Sequence, residues 1–130
     1  MTMEIADKIK FWENMAQEDF EFAQKLYQDK KYLWSLFIAQ LALEKALKAR
    51  VIEKTGKEAP KIHDLVRLAQ IVDWHLSKEQ EKELEIITGF NIEARYTDYK
   101  EGLKKVADQE YTKEYITKSE EYLQWFLKKS

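Results

Sequence analysis

Apolar side chains in the first thirty residues recur at alternating steps of four and three: Ile5, Ile9, Trp12, Ala16, Ala23 and Leu26. That spacing places them on one face of an α-helix and predicts a first helix over about residues 4–28. Phe11, Met15, Phe22 and Tyr27 widen the stripe on its flanks. Asp19 falls in the same series and is the exception in it. A carboxylate on an inward face needs a partner, because an isolated charge is costly away from water. After a polar break at Asp29, Lys30 and Lys31, a second helix is predicted over residues 32–54. Its first half is apolar nearly all round, as in a central helix packed on several sides. Its second half turns polar on one side, with Gln40, Glu44 and Lys48 four residues apart. Gly56 is the natural C-terminal cap.

Pro60 precedes a third helix, predicted to run from His63 or Asp64 to about Trp74, with Asp64 the better N-cap. The bland expectation for His63 is a helix-entry residue whose ring bonds a backbone group. Ser77 and Gln80 match a capping box, which predicts a fourth helix through Leu84 and Ile87 to about Ala94. The segment Tyr96-Thr97-Asp98-Tyr99 reads as a loop, followed by a short helix over residues 101–107. A last helix is predicted over residues 110–128, with Tyr115, Tyr122, Trp125 and Phe126 along it. The whole pattern is an all-α, up-and-down antiparallel helical bundle of four to five main helices in one domain, residues 1–130.

Composition agrees. The 130 residues include only three Gly and one Pro, too few for sheets joined by tight turns. No Cys is present, which excludes disulfides and thiolate metal sites. His63 and His75 lack the spacing of a helical zinc pair, so no metal and no cofactor are expected. There is no glycine-rich phosphate loop and no nucleophile elbow. Glu79, Glu81, Glu83 and Glu85 alternate with Lys78 and Lys82 and read as a solvated face. The apolar run over residues 32–43 is far shorter than the ~20 residues a membrane span requires. No secretory signal is visible at the start, and a cytoplasmic protein is the expectation.

Charge is unevenly placed. Residues 25–57 hold eight basic and three acidic side chains, against two basic and six acidic in residues 1–24. The second helix and its loops therefore read as a basic patch that could attract phosphate or RNA. Arginine is scarce: Arg50, Arg67 and Arg95. The planar fork of Arg95 suits either a phosphate or a buried carboxylate, and Asp19 is one acid needing such a partner.

Three segments together resemble the HEPN family of helical domains. They are Ala16-x-x-Asp19-x-x-x-Ala23-x-x-Leu26, the stretch Ala39-Gln-Leu-Ala-Leu-Glu44-Lys45-Ala46-Leu47-Lys48-Ala49, and Pro60-x-x-His63-Asp64-Leu65 taken with Glu93-Ala94-Arg95-Tyr96. They fall in the family's order and spacing over about residues 10–100. The resemblance implies a homodimeric bundle, of the type found beside minimal nucleotidyltransferases in toxin–antitoxin-like two-part systems. Many such proteins are metal-independent ribonucleases that use an Arg followed four to six positions later by a His. Arg95 fits the first position, but residues 99–102 are Tyr99, Lys100, Glu101 and Gly102, and none of them is the His. Without that His the general acid–base of RNA cleavage has no source, and no catalytic residue is expected. The resemblance then implies an accessory subunit that binds nucleotide or another anion, with Asp19, Glu44, Lys48, Arg95 and His63 as polar-site candidates. Tyr99 is a candidate for modification by a partner. The alternatives are a ribonuclease toxin with a degenerate site and a structural helical adaptor.

Overall fold

The computed structural model describes residues 4–128, with Thr97 and Asp98 described in their backbone only. Among the described residues six helices follow one another: α1 (Ile5–Gln28), α2 (Tyr32–Thr55), α3 (Leu65–Ile71), α4 (Lys78–Arg95), α5 (Thr97–Val106) and α6 (Gln109–Leu127). No strand occurs among the described residues. The chain is an all-helical bundle, and none of its described helices is long and apolar enough to cross a membrane.

Local chemistry accounts for most helix ends. Asp64 accepts from the Arg67 backbone N–H, and Ser77 and Gln80 form the expected reciprocal capping box. Asp108 caps α6 through the Tyr111 backbone N–H. Gly56 ends α2 at φ 68°, the left-handed conformation that costs glycine least. The α1–α2 turn also needs a positive φ, here at Lys30, where backbone bonds from Lys30 to Tyr27 and from Lys31 to Leu26 close it.

That three-residue turn folds α2 back along α1. Ser35 Oγ donates to the Ala23 carbonyl at 2.7 Å at one end, and Arg50 reaches Glu13 towards the other. α2 also packs against α3, α4 and α6, which explains why its first half is apolar nearly all round. Two helix boundaries differ from the sequence pattern. α3 stops at Ile71, because Asp73 takes φ 55° and the Trp74 N–H turns back to the Ala69 carbonyl. α5 begins at Thr97, not at residue 101. Only Tyr96 is extended between α4 and α5, and its carbonyl accepts from the Lys100 N–H at 2.9 Å.

Ala16, Phe20 and Ala23 carry α1 into the core. Phe11 and Phe22, expected to widen the buried stripe, are 49% and 52% exposed. The face of α1 that meets α2 is narrower than the apolar pattern suggests. At the far end of the bundle Trp74 meets Trp125 and Phe126 edge to face, with ring centroids 5.6 and 5.8 Å away.

Candidate functional site

Gln40, Glu44 and Lys48 lie one helical turn apart on α2, and all three point into the bundle. The polar side expected on the second half of α2 is therefore an inner face. Lys48 Nζ donates to Glu44 Oε2 at 2.8 Å. The ring of His63, in the connection between α2 and α3, meets Glu44 Oε1 through Nδ1 at 2.8 Å. Gln40 Nε2 donates to both Glu44 Oε1 (3.2 Å) and the His63 carbonyl (3.1 Å). Asn91 of α4 completes the chain, giving Nδ2–H to Gln40 Oε1 at 2.8 Å. His63 thus bonds a carboxylate and not a backbone group, contrary to the simple helix-entry expectation.

Burial pushes the Glu44 carboxyl up, but hydrogen bonds from Lys48, His63 and Gln40 outweigh it and hold it below its usual range. Glu44 stays ionised and anchors two hydrogen-bonding neighbours of opposite character. Lys48 sits on the hidden side of the carboxylate, whereas the His63 side chain is about half exposed. The network is legible in part from sequence: Gln40 shares the spacing of Glu44 and Lys48, and Asn91 precedes Arg95 by one turn. Nothing local indicates that the two sets meet.

Lys48 also links the network to a cavity. Its ammonium lies 5.9 Å from the centre of the Trp12 ring and borders a cavity of about 330 Å³. Lys8, Phe11, Trp12 and Lys61 also line this cavity, so three ammonium groups and two aromatic rings surround it. Lys8 is drawn 3.9 Å from Glu58 on the same rim. The arrangement can take an anion with an attached flat or apolar group. Lys8, Trp12 and Lys61 were not among the sequence candidates, because α1 and the α2–α3 connection meet Lys48 only in the folded chain.

The remaining candidates stand elsewhere. Asp19 finds the partner it needs in Lys45, at 2.5 Å, and not in Arg95, which the sequence left open as one possibility. Lys45 follows Glu44 directly and so points about 100° round the helix from it, leaving Asp19 outside the network. Arg95 is exposed, and its Nε donates to the Asn91 carbonyl at 3.0 Å while the guanidinium lies over the Tyr96 ring. It touches the network through backbone alone. Tyr99 is 58% exposed on α5 and joins none of these contacts.

The basic patch expected of the second helix and its loops is neutralised along α2 itself. Lys45 pairs with Asp19, Lys48 with Glu44, Arg50 with Glu13 and Lys54 with Asp73. Glu83, placed on a solvated face by its sequence context, instead accepts from Tyr122 Oη at 2.5 Å and from Lys118 at 3.0 Å. Among the described residues no three His, Asp or Glu side chains cluster as metal ligands would.

A helical bundle wrapped around one central helix, with a buried acid–amide–lysine network on that helix, defines the class of protein. The HEPN domain model matches residues 9–130, and the chain belongs to the HEPN family. The crystal structure of TT1696 from Thermus thermophilus has the same fold. Its TM-score is 0.78 over 95% of this chain and 97% of that one, at 18% sequence identity. No curated protein matches the chain.

Proposed function

We propose that this HEPN protein is a non-catalytic accessory subunit that binds a nucleotide or related anion. In this reading it works as a homodimer beside a minimal nucleotidyltransferase, in a cytoplasmic toxin–antitoxin-like pair. The observation that carries the binding role is Lys48, held by Glu44 at the base of a cavity it shares with Lys8, Lys61, Phe11 and Trp12. Ammonium groups would meet the phosphates and the aromatic rings the base. Within the HEPN family, the lack of a His four to six residues after Arg95 supports a role without RNA cleavage.

Calorimetric titration with ATP and GTP tests the site. Lys48→Met and the exposed Lys61→Gln should each weaken binding about tenfold, or ~1.4 kcal/mol. Unaltered affinity in both would reject this cavity. An affinity pull-down from the native host tests the partner, with a nucleotidyltransferase expected in near-stoichiometric amount. A structural adaptor is the second reading, favoured by the hydrogen bonds that tie Gln40, Glu44, Lys48 and Asn91 to one another. It is supported instead if neither nucleotide binds while Lys48→Met still lowers the melting temperature.

A further inference from the structure

A second cleft lies between the α1–α2 turn and α5, and its chemistry is of one sign. Lys30 and Lys31 come from the turn, Lys100 and Lys104 from α5, and Trp34 and Ala107 contribute to its walls. The cavity is about 320 Å³, at the lower end of the range for small-molecule sites. Among the described residues no carboxylate lines it. None of the four lysines forms an ion pair with another described residue, whereas Lys45, Lys48, Lys54 and Lys118 all do.

The scaffold beneath these lysines is well held. The left-handed conformation of Lys30 and the two backbone bonds that close the turn fix where Lys30 and Lys31 leave the chain. On the other wall, buried Leu103 and Ala107 anchor α5. Lys100 and Lys104 stand one turn apart on one face of that helix. Lys100 Nζ lies 4.9 Å from the centre of the Trp34 ring, which is 40% exposed and braced edge-on by Phe37.

Four lysines line one cleft of a protein of net charge −2, and like charges gathered there repel one another with no described carboxylate in the lining to offset them. A polyanion seated among them would remove that repulsion. Asp29 and Glu101, both exposed, adjoin the lysines in sequence and interrupt any longer basic track. A compact ligand therefore fits better than an extended nucleic-acid backbone, which rewards a continuous row of cations.

We propose that this cleft binds a compact polyphosphate group, of the di- or triphosphate kind, gripped by Lys30, Lys31, Lys100 and Lys104 beside Trp34. The site is separate from the Lys48 cavity and does not depend on nucleotide binding there.

Inorganic tripolyphosphate, titrated calorimetrically into the full chain, is the direct probe. One saturable site per chain is expected, with affinity falling as salt rises. The Lys100→Gln/Lys104→Gln double variant should bind at least about tenfold more weakly, since it removes two charge-assisted contacts. Both side chains are on the surface of α5, and an unchanged circular dichroism spectrum would show that the variant folds. Lys48→Met should keep its tripolyphosphate affinity, so failure of the nucleotide site and failure of this one are separately visible. Tryptophan fluorescence should change on binding in the wild type and stay constant in Trp34→Phe. No saturable binding, or equal affinity in the double variant, would overturn the proposal. So would tighter binding of a single-stranded oligonucleotide that strengthens with its length, the mark of a backbone track.

Discussion

Glu44 shows how much one residue can depend on distant ones. Its two oxygens meet Lys48, His63 and Gln40, and those contacts leave its carboxyl more acidic than the usual 4.5 despite burial. The stability this group contributes is present above its unfolded value of 4.5 and is lost as the pH falls through the lower folded one. Glu44→Gln should therefore cost about 3 kcal/mol near neutral pH, by leaving Lys48 buried without its counter-charge. In denaturation curves recorded at successively lower pH, the gap between variant and wild type should close below 4.5. A gap that persists unchanged into acid would show that the carboxylate is not what the network rests on. The spacing of Gln40, Glu44 and Lys48 is visible in the sequence, but its inward direction is not. An i, i+4 series of polar residues looks the same on a wet face and on a buried one until α4 supplies Asn91.

Between elements, Arg50 is the principal tie. Its side chain is 1% exposed, bonds Glu13 of α1 and donates to the Leu127 carbonyl at the end of α6 at 3.2 Å. One guanidinium thus joins three helices and complements the negative end of α6. Glu13→Ala should lower the unfolding free energy by about 3 kcal/mol, because it leaves a buried cation short of its partner. The double variant Glu13→Leu/Arg50→Met should recover most of that loss, since apolar replacement of a buried pair is often close to neutral. Chemical denaturation of the three proteins gives the answer, and a double variant no better than the single one would count against it. In the sequence Arg50 was only one of three arginines. Its role depends on a carbonyl 77 residues away, a separation that no helical period can encode.

Across the whole molecule, α2 is the axis and α6 the closing stave. The fully buried Phe126 packs on Trp74, Tyr122 and Trp125, so the segment after α3 and the last helix are held by one aromatic cluster. Phe126→Ala should cost about 4 kcal/mol, a large share of the 5–15 kcal/mol typical of a domain. The urea midpoint should fall with little change in slope, because the surface exposed on unfolding stays nearly the same. A steeply reduced slope would mean that α6 unfolds separately from the rest.

The number and kind of helices follow from the sequence alone, as do most of their ends. Periodicity, capping side chains and the left-handed glycine act within a few residues, and nearby chemistry decides them. The capping box at Ser77, the Asp64 cap and the Gly56 terminus are of this kind. The tertiary structure alone decided which charges distant in sequence meet. Asp19 finds Lys45 and not Arg95, Glu44 finds His63, and Lys30 and Lys31 come to face Lys100 and Lys104. Electrostatic partners are chosen by distance in space, and packing around α2 sets those distances only when the whole bundle has closed.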